Sequence, residues 1–423
     1  MKSQTPLAGN TYRDTPRLKH VLSGLISGGT PDTNNEEYWA DGDEGVAWVA
    51  IGDMSTQALV TTTEKKITES GVLSKRLRVL RPGTLIYSMY ASIGHVAELG
   101  IPATINQALL GFEFSENVVP AFAKWWLRHL QPLLLAEASS NTQDNLNADK
   151  VKNLPFPALP IHQQTCIANY LDRETARIDA LIAEKERMLA LLEEKRAALI
   201  SRVVTRGLDP TALLKPSGQE WLGEIPAHWR VERAKNLFTI RDERSDDGSE
   251  ELLTVSHITG VTSRSEKDVY MFEADDKAGY KRCMPGDLAI NTLWAWMGAM
   301  GISPMAGIVS PDYHVYTSKG ELLPEYVDLL CRSRPFVAEV SRWSKGVWSS
   351  RLRLYPENFF EMRLPVPPHD EQAAIVRAVE QDQRKANALR ESLRLSITLA
   401  KERRAALITA AVTGQIPLEE MQP

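Results

Sequence analysis

Two polar segments carry side chains whose chemistry is recognition. The first, Ser139-Ser140-Asn141-Thr142-Gln143-Asp144-Asn145-Leu146-Asn147, offers carboxamides. Asn and Gln give and take hydrogen bonds together, the pattern that one adenine edge presents. The second, Ser344-Lys345-Gly346-Val347-Trp348-Ser349-Ser350-Arg351-Leu352-Arg353, offers cations that suit guanine or phosphate. Both stand just ahead of a Leu-Pro-x-Pro element, at 154–157 and at 364–367. Equivalent places with different readers are what two domains reading different short sequences need. Asn141, Gln143, Asn145, Lys345, Trp348, Ser349, Arg351 and Arg353 are therefore candidate contacts to bases or backbone. The competing reading is a flexible surface loop in each case.

Charge distribution adds to this set. Lys75, Arg76, Arg78 and Arg81 form a basic run without an acid, and Arg342, Lys345, Arg351 and Arg353 form another, interleaved with Trp343 and Trp348. Two acidic stretches oppose them, Glu36, Glu37, Asp41, Asp43 and Glu44 in one, and Asp242, Glu243, Asp246, Asp247, Glu250 and Glu251 in the other. The net charge of −5 argues mildly against a nucleic-acid binder. Phosphate neutralisation depends on local clusters rather than on that sum. Lys75 and Arg76 enter the candidate set on this ground. Ser88 and Tyr90, at the end of a strand read over 84–90, and Asn291 and Trp294, at the end of one read over 287–294, complete it.

Bond-making chemistry is hard to find. Gly24-Leu25-Ile26-Ser27-Gly28-Gly29-Thr30 has the glycine spacing of a phosphate loop, but threonine stands where lysine must sit. Eight histidines are scattered with no H-x-x-x-H or H-E-x-x-H spacing, so no metal site is expected. No Ser/His/Asp set and no nuclease cluster of Asp, Glu and Lys can be singled out. Asn153-Leu154-Pro155-Phe156 resembles the Asn-Pro-Pro-Phe/Tyr motif of adenine methyltransferases. At the matching place the chain has Arg363-Leu364-Pro365-Val366, without the asparagine or the aromatic. No glycine-rich cofactor fingerprint accompanies either copy. Cys166, Cys283 and Cys331 give no disulfide framework and fit a reduced, cytoplasmic compartment. The first residues lack the apolar core of a signal peptide, and no apolar run approaches the ~20 residues that span a bilayer.

The elements that position these residues come in duplicate. From Gln164 to Lys195 and from Gln372 to Arg403 is the same 31 positions, and Lys195-Arg196-Ala197-Ala198-Leu199-Ile200 matches Arg403-Arg404-Ala405-Ala406-Leu407-Ile408. Upstream, Val118-Val119-Pro120-Ala121-Phe122 matches Leu322-Leu323-Pro324-Glu325-Tyr326. A duplicated chain can present two similar surfaces to a partner that is itself two-fold, such as duplex DNA. Apolar runs bounded by Gly, Pro and Asp read as strands over 46–54, 84–90, 252–261, 287–294 and 313–317. Two helices are predicted with coiled-coil seams, one through Ile167, Leu171, Ile178, Leu181, Met188, Leu192 and Leu199. The other runs through Ile375, Val379, Ala386, Leu389, Leu393, Ile397, Ala400 and Leu407. Proline is absent from both, and Gly207 and Gly414 sit where they should end. The expected fold is mixed α/β, with two similar globular domains separated by two long antiparallel helices about a pseudo-two-fold axis. The boundaries read as a first domain over 1–160, a helix over 161–206 and a linker over 207–230. A second domain over 231–368, a helix over 369–413 and a tail over 414–423 follow.

These residues resemble a known family, the specificity subunits of type I restriction-modification systems. The resemblance covers essentially the whole chain. It is carried by Leu25-Ile26-Ser27-Gly28-Gly29-Thr30-Pro31 with Tyr38-Trp39, by Trp221-Leu222-Gly223-Glu224-Ile225-Pro226-Ala227-His228-Trp229, by Leu364-Pro365-Val366-Pro367-Pro368 with Glu371-Gln372, and by Ser139 to Asn147. In combination the second and third are specific. The chain departs from the pattern at Gln163, where glutamate is usual, and near Met1 to Pro16, which lack the Trp-Leu-Gly-Glu-Ile-Pro element. The resemblance implies two target-recognition domains, each reading half of a split, asymmetric site in double-stranded DNA. It implies that the paired helices set the gap and bind two methyltransferase subunits, with restriction and translocase subunits joining the complex. S-adenosylmethionine, ATP and Mg would then belong to those other chains, and this one would have no catalysis of its own. The rival reading is a coiled-coil scaffold or adaptor whose globular domains bind protein rather than DNA.

Overall fold

The computed structural model describes residues 12, 15–42, 44–56, 58–140, 146–266, 276–346 and 352–422, with the side chains of 56 and 137–140 excepted. The fold is mixed α/β and divides into two units. Unit 1 gathers Met1–Glu184 and Ser396–Pro423, and unit 2 gathers Lys185–Leu395.

In unit 1 a five-stranded sheet runs in the order Leu22–Ser27, Leu109–Phe114, Leu85–Ser88, Val96–Leu99, Leu59–Val60, antiparallel except for its last pair. Successive side chains on a strand point to opposite faces, and the sheet buries both. Leu85 and Tyr87 face a core built with Phe122, Trp126 and Leu130 from the helix Pro120–Ser140. Ile86 faces a second core with Val49, Met54 and Leu99. The strand expected over 46–54 ends early. Only Val46–Val49 is strand, and Ile51–Thr56 is helix. Asp53 folds back to accept the Ala50 N–H at 2.8 Å, which turns the chain at that point.

Unit 2 has an antiparallel sheet in the order Phe238–Arg241, Tyr313–Ser318, Leu288–Asn291, Met300–Ile302. The run over 252–261 is a hairpin, Leu253–Ser256 with Gly260–Ser263. The segment 207–230 is more than a linker. Leu214–Pro216 pairs with Glu224–Pro226, and Ile225 and Trp229 are completely buried in the unit 2 core. In unit 1, Met421 of the final residues is likewise buried, and Leu418 O accepts from Cys166 Sγ at 3.9 Å.

One residue type docks each long helix on its domain. Gln164 Oε1 accepts the Val119 N–H at 2.9 Å, while its Nε2 donates to Asn117 O and Leu159 O at 2.9 and 2.7 Å. Gln372 does the same in unit 2, with Leu323 N at 2.7 Å, Glu321 O at 3.0 Å and Pro367 O at 2.9 Å. Both glutamines are buried and satisfied. Each holds the loop before a helix that opens with proline, Pro120 or Pro324, where the missing N–H costs nothing.

The long helices span Ile161–Arg206 and His369–Val412. Within unit 2 they run antiparallel, with Val203 packed in one core with Ile375, and Lys195 meeting Asp382 at 3.6 Å and Arg390 pairing with Glu193. Within unit 1 the sense is the same, with Ala411 near Leu171 and Arg404 meeting Asp179 at 2.8 Å. The seams differ in detail from the sequence expectation. Leu181 and Met188 are 50% and 41% exposed, while neighbouring Ile182 is 8% exposed and Leu189 is half-buried. Leu389 is 44% exposed, and Arg390 takes the inward place, its charge met by Glu193. Among the described residues no helix is long and apolar enough to cross a membrane.

Candidate nucleic-acid interface

In unit 1 the described candidate residues, Lys75, Arg76, Ser88 and Tyr90, gather at one end of the five-stranded sheet. Ser88 pairs with Leu109, Met89 N–H donates to Ala108 O at 2.9 Å, and Gly28 N–H donates to Leu109 O at 3.2 Å. The turn after Ser88, the glycine loop 28–30 and Asn106-Gln107 therefore lie together. Gly28 has a packing reason to be glycine, since a Cβ there would fall 2.0 Å from the Asn106 carbonyl oxygen. A Cβ on Gly29 would meet Leu77 at 2.8 Å and Lys75 at 3.8 Å, so the basic run starts against the same loop. Thr30 Oγ1 donates to Gln107 Oε1 there. The phosphate-loop spacing is thus a close-packed turn.

Lys75 and Arg76 are exposed, with no ion pair among the described residues. Arg78 differs, since Glu113 holds it at 2.6 Å. Arg76 adopts φ 52°. It follows the helix Glu69–Ser74 in a Schellman closure, with Leu77 N–H on Val72 O at 2.9 Å and Arg76 N–H on Leu73 O at 3.0 Å. Glycine is usual at that position. Ser88 is buried and its Oγ donates to Tyr90 O at 2.8 Å, so it shapes the turn that holds Tyr90 out, 40% exposed.

Unit 2 builds a comparable end from different residues. Asn291 is buried, its Nδ2 donating to Tyr313 Oη at 2.9 Å and its Oδ1 accepting Leu293 N–H at 3.2 Å. Like Ser88, it shapes the turn after its strand. Trp294 is 49% exposed and stacks on Trp296 with centroids 6.2 Å apart. Thr292 O accepts Leu354 N–H at 3.3 Å, which brings the basic segment to the same end. Lys345 and Arg353 exchange backbone hydrogen bonds, each 2.9 Å, in an isolated antiparallel bridge. Both side chains are exposed, and no acid pairs with either among the described residues. Like charges directly across such a bridge repel, so an anion laid between them is favoured.

Sequence reasoning missed Lys281. Its Nζ donates to Tyr313 O at 2.6 Å and lies 3.4 Å from His314 Nδ1. Burial lowers the Lys281 pKa, and burial followed by the Lys281 charge pushes His314 down to about 4. The two come together through the pairing of Lys281–Cys283 with Gly307–Val309 and the turn that leads from it to Tyr313, so no local spacing signals them. Asn141, Gln143, Asn145, Trp348, Ser349 and Arg351 lie outside the described residues. Asn147, at the end of the first polar segment, caps the helix Ala148–Lys152 by accepting Lys150 N–H at 2.9 Å. No metal-holding group of His, Cys, Asp and Glu is present among the described residues.

Comparison with known proteins gives this arrangement its class. Residues 17–189 match the family described as the type I restriction modification DNA specificity domain. The MjaIX specificity subunit of Methanocaldococcus jannaschii is 27% identical over 233 residues, 54% of this chain and 52% of that protein. The EcoBI specificity subunit of Escherichia coli is 22% identical over 365 residues, 79% and 74% respectively. The chain spans about half the length of the archaeal relative it matches. Two solved structures share the fold. One, from work on complex assembly and conformational transition of the type I R-M system, has TM-score 0.68 and 16% identity, covering 94% of this chain and 96% of that one. The other, the HsdS subunit from Thermoanaerobacter tengcongensis, has TM-score 0.52 and 16% identity, covering 95% and 96%. The likeness is to DNA specificity domains over residues 17–189, on a mixed α/β fold shared along the chain. The chain is similar to the specificity subunits of type I restriction-modification systems, most directly over residues 17–189.

Proposed function

We propose that this chain reads a two-part, asymmetric site in double-stranded DNA and performs no chemistry itself. Each unit reads one half through one end of its sheet, with Lys75, Arg76 and Tyr90 in unit 1 and Trp294, Lys345 and Arg353 in unit 2. Asn141, Gln143 and Asn145, and Trp348, Ser349 and Arg351, add base contacts from the polar segments. The paired helices dock two methyltransferase subunits, and restriction subunits join through these. S-adenosylmethionine, ATP and Mg act in those partners. The observation that carries the reading is a contrast. The two units anchor their helices through the same glutamine hydrogen bonds, yet the polar segments that precede that anchor in the sequence carry carboxamides in one copy and cations in the other.

Phosphate contacts set affinity and its salt dependence, and base contacts set sequence. Co-purified with its methyltransferase, the chain should bind its own site selectively and more weakly as salt rises. Replacing Lys345 and Arg353 by alanine should lower affinity and reduce the salt slope by about one for each phosphate left without its cation. Binding indifferent to sequence and salt would favour the scaffold reading instead.

A further inference from the structure

The two long helices close alike but meet different surroundings. Gly207 and Gly414 follow them with φ 70° and 75°. A Cβ on Gly207 would lie 2.7 Å from Glu371 Oε1 and 3.3 Å from the Trp229 ring, whereas one on Gly414 would meet nothing within 4 Å. In unit 2 the slot beside the helix end is filled by Trp229, completely buried, whose Nε1–H donates to Glu371 Oε2 at 2.9 Å. Glu371 stands one residue before the anchoring Gln372. In unit 1 the residue before the anchoring Gln164 is Gln163.

Where unit 2 has its indole, unit 1 has a cavity of about 610 Å³, within the size range of small-molecule sites. Tyr12, Trp126, His129, Gln163, Ile167 and Gly414 line it. Tyr12 Oη and Thr409 Oγ1 lie 2.8 and 3.1 Å from the two ring nitrogens of His129. Burial lowers the His129 pKa, which favours the neutral ring. The Gln163 carboxamide makes no hydrogen bond among the described residues and borders the cavity. The walls are therefore mainly aromatic and aliphatic and uncharged, with threonine hydroxyls and the Gln163 and Gln415 carboxamides among them, and the Gln163 amide oxygen takes the sequence place where unit 2 has the carboxylate that holds an indole N–H.

We infer that this cavity in unit 1 receives an indole-type group, a planar aromatic ring bearing an N–H that Gln163 Oε1 accepts. The ring could arrive as a free small molecule or as a tryptophan side chain on a peptide, and both sources can be tested on the full-length chain. One probe is indole itself, followed by calorimetry. The other is a fluorescein-labelled peptide with the sequence of residues 221–229, Trp-Leu-Gly-Glu-Ile-Pro-Ala-His-Trp, followed by anisotropy with and without indole as competitor.

Saturable one-to-one binding of indole, or of the peptide alone, is expected, and assigns the free or the peptide-borne source respectively. Gln163→Ala should weaken it about tenfold by removing the acceptor. Gln163→Glu should tighten it several-fold, because hydrogen bonds to a charged acceptor are the stronger ones. Unchanged thermal unfolding of both variants separates the site from general loss of fold. The inference is overturned if neither probe binds, or if binding ignores both substitutions. It is also overturned if binding appears only once residues 1–11 are removed.

Discussion

Arg76 occupies a backbone position that glycine would hold with less strain. A left-handed conformation costs an ordinary residue roughly 1–2 kcal/mol, and an arginine kept there, exposed and without an acid partner, points to use of its charge. Arg76→Gly should therefore stabilise unit 1 by about 1 kcal/mol in denaturant unfolding and still weaken DNA binding with a shallower salt slope. Loss of stability, or unchanged binding, would remove Arg76 from the interface. His314 supplies a pH test. Its ordinary value of 6.5 falls to about 4 in the folded chain, so below 6.5 the unfolded chain takes up the proton first. Stability must then fall as pH drops from 6.5 toward 4. His314→Asn should flatten that part of the unfolding profile, and an unaltered slope would locate the pH dependence elsewhere. His314 is only half-buried, which screens the effect.

At the scale of elements, the helix seams decide what the sequence could disclose. Ile182 faces inward and Leu181 outward. Ile182→Ala should cost about 2–5 kcal/mol and Leu181→Ala under about 0.5 kcal/mol by chemical denaturation. The reverse order would restore the seam through Leu181. Helix type and extent were legible because apolar residues recur every three or four positions without proline. The face was not, because Leu181 and Ile182 are both apolar and adjacent, and because Arg390 enters the seam with Glu193 to neutralise it. The hairpin at 252–263 was hidden for a similar reason, since His257-Ile258-Thr259 lacks the usual turn residues. At the candidate interface, the basic runs were visible as composition. That Arg78 is held by Glu113 while Arg76 is not required the strand pairing that brings residue 113 alongside. The glutamine pair at 164 and 372 was visible as a repeat, but its role as the buried clamp of each helix lies in long-range hydrogen bonds to residues more than 40 positions away.

For the whole molecule, the proposal makes the paired helices a spacer between two readers. Inserting seven residues in each long helix keeps the inward stripe in phase and adds about 10 Å. The tolerated gap between half-sites should then grow by about three base pairs at roughly 3.4 Å each, read by mapping methylated sites with the reconstituted methyltransferase. An unchanged gap would mean that the readers are positioned by something other than these helices.

The central claim is that each unit reads its own half of the site. Its most direct measurement replaces residues 217–368 with the corresponding segment of a relative of different specificity, reconstitutes the methyltransferase complex and maps the modified sequence. One half of the recognised site should change to that of the donor while the other half stays as it was. A change in both halves, or in neither, would contradict the account.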